Sequence, residues 1–316
     1  MRSLTSRRAA AVLALFLAGS ASAACSGAAP SAAPPPSATA VPQVHVTEIP
    51  KVTDSTSLVY PVDAYLLTRD QAIELDQATN LLEDRCMAQF GFDYTAPPPN
   101  ILPGSVTDSN APRRYGVSDA AQVAKLGYHP PASAPLPKKP DVSAVALMVL
   151  TGDAATDASP SAAPPTRYAN RPFPTGGCIG QARAQLTAHG GSANTDSVAE
   201  EINDQSLALS EREPQVIAVV SQWSQCMAKH GYHYGTPYDA SNDEQWNTLT
   251  PSAKELQVAS TDVACKAQTD LVGTWYAVEV ALQQHMIAAN RQHLDQVKAG
   301  IAAELAASGQ TLATAG

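Results

Sequence analysis

The chain spells nearly the same phrase twice, as CMAQFGFDYTAPP from Cys86 and as CMAKHGYHYGTPY from Cys226. Each copy reads Cys-Met-Ala-x-x-Gly and continues with an aromatic residue. This order is typical of a helix that ends at the glycine, because the aromatic residue then packs back against the methionine. The repeated phrase therefore predicts two helix ends, each with a cysteine in its last full turn.

The predicted position at a helix end bears on the chemistry of these cysteines. The C-terminus of a helix carries partial negative charge, which disfavours a thiolate, whereas reactive cysteines lie at helix N-termini or beside cations. A later cysteine follows each copy, Cys178 after the first and Cys265 after the second. Four cysteines allow three pairings. The repeat favours Cys86–Cys178 and Cys226–Cys265, each joining a helix end to the next major helix.

Residues 1–24 have the layout of an export signal. Three arginines precede a short apolar stretch at 9–17, and small residues follow it. That stretch falls well short of the about 20 residues that a membrane-spanning helix needs. The sequence therefore predicts a signal peptide over 1–24 and an exported mature chain.

The end of the signal leaves two kinds of processing open. Ala21-Ser22-Ala23 would suit an ordinary signal peptidase, and the chain would then be secreted. Ser22-Ala23-Ala24-Cys25 resembles a lipobox, the motif in which the cysteine becomes the lipidated N-terminus, although Ser22 stands where leucine is usual.

Two further features favour lipidation of Cys25. Residues 25–50 are rich in proline, alanine and serine, which is typical of a disordered tether. Setting Cys25 aside also leaves an even set of four cysteines, which outside the cytosol are expected to pair. We therefore predict a lipoprotein on the outer face of the cytoplasmic membrane, with 51–316 as a single helical domain.

The net charge of the chain limits the classes of partner that it can bind. The sequence has 20 lysines and arginines against 29 aspartates and glutamates, a net charge of −9. Loss of the three signal arginines leaves 17 against 29, which is −12. A net acidic surface argues against binding to nucleic acid or to anionic lipid headgroups. Contact with the membrane would therefore depend on the N-terminal lipid.

Apolar residues recur with a helical period in most of the chain, and no stretch alternates as a strand does. The fold class is predicted as all-α, a disulfide-stapled helical bundle with a long C-terminal helix over 271–305 that Asn290 interrupts. Prolines make 97–177 a largely looped excursion. Predicted helix N-caps are Thr68 (with Gln71 three residues on), Ser118, Thr195, Ser210 (with Glu213) and Thr250.

The second copy of the phrase and the segment ELQVASTDVACKAQTDLVGTWYAVEVALQQHMIAAN after it resemble a group of proteins from actinobacteria. These are secreted proteins and lipoproteins in which Cys-Met-x-x-x-Gly is answered by a downstream Ala-Cys, and most are uncharacterised. The resemblance covers 68–95 and 170–295. It implies an envelope protein and supplies no catalytic residue.

Candidate chemical sites have simpler structural explanations. Cys226, His230 and His233 could form a metal cluster, but Gly231 ends the helix between the histidines, and Cys226 is expected in a disulfide. The sequence has no Gly-x-Ser-x-Gly, His-Glu-x-x-His or phosphate-loop motif. We therefore predict no metal, no cofactor and no catalytic residue.

Three functional hypotheses follow. The first is a non-enzymatic interaction or structural module of the cell envelope, whose partner is an envelope protein or the cell wall. The second is a cell-wall or small-ligand binding protein with a groove lined by Trp223, Trp246 and Trp275. Tryptophans around one open pocket would favour the second hypothesis, and their burial in one core would remove it. The third is an envelope hydrolase.

Overall fold

Helices form almost all the regular structure of the computed structural model, which describes residues 43–101, 112–132, 137–138, 140–153, 167–188, 190 and 198–314. In order they are α1 (Arg69–Gln89), α2 (Ala120–Leu126), α3 (Ala144–Thr151), α4 (Gly177–Leu186), α5 (Val198–Ser210), α6 (Pro214–Lys229), α7 (Pro237–Ser241), α8 (Ala253–Thr269), α9 (Leu271–Ala289) and α10 (Arg291–Ala313). A two-residue hairpin, β1 (Arg167–Tyr168) with β2 (Arg171–Pro172), pairs antiparallel with Arg167 opposite Pro172. The predicted all-α class is confirmed.

The start of α1 confirms the predicted capping box. The backbone N–H of Gln71 donates to Oγ1 of Thr68 at 3.3 Å. In return, the backbone N–H of Thr68 donates to Oε1 of Gln71 at 2.9 Å. Two of the N–H groups that a helix start leaves without partners are satisfied in this way.

Three other predicted helix starts are wrong by one to three residues. The observed N-caps are Asp119, Glu213 and Ser252, in place of Ser118, Ser210 and Thr250. Each true cap has another polar residue close before it, so the sequence offers several caps and packing selects one. The predicted cap Thr195 lies outside the described residues.

Both copies of the repeated phrase end a helix in the same way. The N–H of Phe92 donates to the carbonyl of Met87 at 3.1 Å, and that of Gly91 donates to Ala88 at 3.0 Å. The equivalent bonds of the second copy have the same two lengths. The glycines are left-handed, with φ of +82° at Gly91 and +85° at Gly231. These are the two hydrogen bonds of a Schellman ending.

The predicted long helix over 271–305 divides into α9 and α10 at Asn290, the residue at which the sequence predicts an interruption. This residue has φ −113° and ψ 15°, outside the helical range. Its side-chain amide donates to the carbonyl of Met286 at 2.9 Å, and its backbone N–H donates to the same carbonyl at 3.1 Å. Asn290 therefore closes α9 through its side-chain and backbone amides.

The described helices bury one large cluster, one smaller cluster and a third of only Leu67, Leu75 and Ile301. The larger cluster is built mainly from α5, α6, α8 and α9, which pack on one another. The smaller lies where α3 packs on α4, and consists of Cys86, Met87, Ala146, Val149, Leu150 and Cys178. Helix α1 packs against α4 and against α10.

Part of the predicted tether is docked on the helices. The backbone of Val46 exchanges two hydrogen bonds with the side-chain amide of Gln215, both at 2.9 Å. A Cβ at Gly273 would lie 2.1 Å from the carbonyl oxygen of Pro50, so only glycine permits this approach. The expectation of a disordered tether over 25–50 therefore does not hold for 43–50.

The proline-rich interval 97–177 contains α2, α3 and the hairpin, while its other described residues form turns and irregular structure. Residues 102–111, 133–136, 139 and 154–166 of this interval lie outside the described part. Among the helices of the described residues, none is long and apolar enough to cross a bilayer.

Candidate functional site

Two disulfides join helices in the structure, Cys86 to Cys178 and Cys226 to Cys265. Their Cα atoms lie 5.6 Å and 5.7 Å apart, the normal spacing for a disulfide. The first ties the end of α1 to the start of α4, and the second ties the end of α6 to α8. These are the pairings that the repeat favours. Cys25 lies outside the described residues, so its lipidation stays a prediction.

The three tryptophans do not line an open groove together. Trp223, Trp246 and Trp275 are 0%, 7% and 2% exposed and belong to one core cluster. Each indole N–H has an internal acceptor, as buried indoles usually do. The acceptors are Oδ1 of Asp262 at 2.9 Å, the carbonyl of Ala240 at 2.8 Å and Oγ of Ser210 at 2.7 Å, respectively. The predicted three-tryptophan groove is wrong.

One of the three tryptophans, Trp275, nevertheless lines a groove on the surface. A cleft of about 440 Å³ lies between α6 and the segment 235–238. We call it the α6 groove and define it by Glu211, Val216, Ile217, Val220, Tyr238 and Trp275. Ile217 is 55% exposed on the wall of this groove. The groove therefore offers an apolar wall beside one carboxylate.

The hydroxyls of the groove are engaged with their own helix surroundings. Oγ of Ser224 donates to the carbonyl of Tyr234 at 2.6 Å. Oγ of Ser221 accepts from the side-chain amide of Gln225 at 3.3 Å. Partial burial raises the pKa of Glu211, a shift that Arg212 opposes. This arrangement suits binding of a ligand better than activation of a serine nucleophile, which needs a base beside it.

Rigid aromatic packing supports the groove from below. The Trp275 ring stacks on Tyr115, with centroids 5.1 Å apart, and meets the edge of Tyr238 at 5.8 Å. The hydroxyl of Tyr238 donates to the carbonyl of Arg114. The inner wall of the groove is therefore fixed before any ligand arrives.

The polar centre beneath that wall was not visible in the sequence. The Arg114 guanidinium pairs with the carboxylate of Glu279, and their side chains are 5% and 0% exposed. The same carboxylate accepts from the hydroxyl of Tyr115 at 2.7 Å and from that of Ser206 at 3.0 Å. No local pattern connects residues 165 positions apart. The pair is enclosed in the core, so we assign it a structural role.

A second buried pair lies within α8. Nζ of Lys266 is 3.0 Å from Oδ1 of Asp262 one turn before it, and their side chains are 1% and 0% exposed. Burial raises the pKa of Asp262 and lowers that of Lys266, and their mutual attraction opposes both shifts. Shifted pKa values often mark active sites. Here the carboxylate is enclosed by Trp223 and Tyr128, which donate to it, so the pair also reads as structural.

Within the part of the chain that the structure describes, one group of metal-ligating side chains comes together. Ligand atoms of Cys226, His230 and Cys265 all lie within 4.8 Å of one another, whereas His233 is not part of the group. In the oxidised chain both sulfurs are bonded to each other, so neither is a thiolate. That the chain binds no metal stays a prediction from the sequence.

Comparison with known proteins found no matching family model, no similar curated protein and no similar solved structure. The fold and the site together define a disulfide-stapled helical protein with a groove that is mainly apolar. The resemblance to secreted proteins and lipoproteins of actinobacteria stays a prediction from the sequence motifs.

Proposed function

We propose that the chain is an exported, lipid-anchored and non-enzymatic interaction module of the cell envelope, which binds a partner protein through the α6 groove. The observation that carries this proposal is an apolar groove with an exposed isoleucine and a single carboxylate, on a body locked by two disulfides. Disulfides persist in oxidising compartments outside the cytosol, which supports export.

Anchoring through Cys25 fits the charge and the docked segment. The mature chain is too acidic to be held on anionic lipid by charge, so a covalent lipid would hold it there. Residues 43–50 lie on the helices, and residues 26–42 of the predicted tether join them to Cys25. The groove would then stay near the membrane surface, where partners anchored in the same membrane are concentrated.

The groove chemistry specifies the kind of partner. Val216, Val220 and Ile217 favour an aliphatic side chain, and the carboxylate of Glu211 favours a cation beside it. The net negative charge of the chain attracts a basic segment from a distance. We therefore expect a segment with a lysine or arginine next to an aliphatic residue.

Photo-crosslinking in the native host tests this proposal. A photoreactive residue at Ile217 is compared with the same residue at Leu249, which is fully exposed and lies outside the groove. We expect a crosslinked envelope protein from position 217 alone, lost when Glu211→Lys reverses the charge of the groove. Identical products from both positions, or crosslinks that Glu211→Lys leaves unchanged, would contradict the proposal.

Burial of the three tryptophans in one core removes the small-ligand hypothesis in its predicted form, and a different small-ligand site, the α6 groove, is the second candidate function. The cleft of about 440 Å³ is within the size range of small-molecule sites, and the edge of Trp275 contributes to its wall. Calorimetry with soluble cell-wall fragments would support this candidate if binding heat disappears in Glu211→Lys. The hydrolase hypothesis stays a prediction; in the α6 groove, the hydroxyl of Ser224 donates to a backbone carbonyl and that of Ser221 accepts from the side-chain amide of Gln225, and neither bond is to a general base.

A further inference from the structure

The Cys226–Cys265 disulfide has an imidazole beside it. Ligand atoms of these two cysteines and of His230 lie within 4.8 Å of one another. His230 is the last residue of the α6 ending and is exposed, while the cysteines are 6% and 1% exposed. Three potential metal ligands are therefore gathered at one point, with the histidine on the solvent side.

The repeated phrase supplies an internal comparison. The fourth residue after the phrase cysteine is His230 in the second copy and Phe90 in the first. Phe90 stacks on Phe173, with ring centroids 6.1 Å apart. Because the two helix ends make the same hydrogen bonds, these residues take equivalent places. The first copy therefore forms its disulfide without a histidine beside it. His230 is not needed for the disulfide of the second copy.

The donor set matches a known class of metal site. Two thiolates and one imidazole bind Zn²⁺ in sites that keep a fourth position for water or a small ligand. An open cleft of about 480 Å³ borders His230 along α8, lined also by Leu256, Gln257, Ser260, Thr261 and Ala264. This cleft leaves room for the fourth ligand.

The backbone keeps the cysteines together when the disulfide is open. Their Cα atoms are 5.7 Å apart and belong to α6 and α8, which pack on each other. Both helices bury side chains in the larger core cluster, Trp223 from α6 and Val258 from α8 among them. Opening the sulfur–sulfur bond therefore leaves both thiols beside His230.

We propose that Cys226, Cys265 and His230 bind one thiophilic divalent cation of the Zn²⁺ kind when a dithiol opens their disulfide. The dithiol gives up two electrons and two protons and becomes a disulfide itself, while Cys226 and Cys265 become thiols. The cation then displaces the two thiol protons and takes the neutral ring nitrogen of His230 as its third ligand. The same residues hold a metal in the reduced chain and a covalent link in the oxidised chain.

Titration of the full chain with Co²⁺ tests the proposal, since thiolate–cobalt bonds give a strong charge-transfer absorbance. The chain is reduced with an excess of dithiol without oxygen, the dithiol is removed, and helicity is followed by circular dichroism. We expect one Co²⁺ per reduced chain, displaced by Zn²⁺, and no charge-transfer band from the oxidised chain.

Matched variants distinguish Co²⁺ bound at the proposed site from Co²⁺ bound by thiols without His230. His230→Phe copies the first helix end and should weaken binding at least about tenfold, since the loss of an outer partner alone costs 10–100-fold. Phe90→His copies the second and should add a weaker site at Cys86 and Cys178. Replacing those two cysteines by serine should leave one Co²⁺ per chain.

Two results would overturn the proposal. One is a reduced chain that keeps its helical signal but shows no charge-transfer band. The other is binding that His230→Phe leaves unchanged, because thiols alone, in a folded or an unfolded chain, would then account for the absorbance.

Discussion

The two disulfide-linked helix pairs share one helix ending but differ in their surroundings. The first pair, α1 with α4, closes 92 residues and buries a small cluster around Met87 and Val149. The second, α6 with α8, closes 39 residues and belongs to the larger core around Trp223 and Trp275. The same helix ending therefore borders a small buried cluster in one place and the large core in the other.

Removal of the disulfides should have the largest effect and should separate the two pairs. In the chain-entropy model, the links over 92 and 39 residues stabilise by about 4.6 and 3.9 kcal/mol. We expect Cys86→Ala with Cys178→Ala to lower the free energy of unfolding more than Cys226→Ala with Cys265→Ala. Urea unfolding followed by circular dichroism measures both.

The difference should also show in the shape of the transition. Loss of the first link should unfold α1, α3 and α4 in a separate early step, because their cluster is small. A single transition at the same midpoint for both double variants would show that packing around the two pairs is equivalent.

The buried ion pair of the larger core should give the next largest effect. Glu279→Gln leaves the guanidinium of Arg114 buried without its counter-charge. We expect a loss of about 3 kcal/mol in the free energy of unfolding. Glu200→Gln, at an exposed position on α5, is the matched control and should change it by less than about 0.5 kcal/mol. Equal effects would mean that the ion pair does not stabilise the core.

The two glycines of the repeated phrase should respond alike. Alanine at Gly91 or Gly231 would have a left-handed φ, and its Cβ would meet nothing within 4 Å. The cost then comes from the backbone alone and should be about 1 to 2 kcal/mol at each site. Thermal unfolding of the two variants measures it. Clearly unequal losses of stability would show that the two copies do not stabilise their helix ends equally.

The smallest expected effect is a dependence of stability on pH that arises in the first helix pair. Burial, with Asp84 and Asp76 nearby, raises the pKa of Glu83 on α1 from 4.5 to about 7. The folded chain then holds this proton where the unfolded chain has lost it, so stability falls as pH rises from about 4.5 to 7. We expect a loss of at least about 1 kcal/mol, since one pKa unit corresponds to about 1.4 kcal/mol.

The Glu83→Gln variant isolates this response. Its free energy of unfolding should vary less between pH 5 and pH 8 than that of the unaltered chain. Glu74→Gln, on the same helix, should keep the full variation. A chain whose pH profile is unchanged by Glu83→Gln would show that this carboxyl titrates normally.

Local signals allowed much of the fold to be predicted. The Schellman endings and the Thr68 capping box depend on residues within one turn, and a single sequence contains them completely. The repeat also allowed the two cysteine pairings to be predicted, because it placed an equivalent cysteine at each helix end. Helix starts were less accurate where two polar residues compete for the cap, as Ser118 and Asp119 do.

Long-range choices could not be predicted. Arg114 lies in a polar, proline-rich stretch that reads as a solvated loop, yet it is buried against a glutamate 165 residues away. The tryptophans were expected at a groove, but the indole N–H of each donates to an acceptor inside the core. The α6 groove itself depends on how the segment 235–238 returns to α6, which no periodicity encodes.

The central claim is that the repeated phrase builds two disulfide-linked helix pairs in an exported, lipid-anchored protein. Mass spectrometry of the protein from its host, intact and as non-reduced peptides, tests it most directly. We expect a diacylglycerol-modified chain that begins at Cys25, with Cys86 linked to Cys178 and Cys226 linked to Cys265. An unlipidated chain with other pairings, or with free thiols at these four positions, would contradict it.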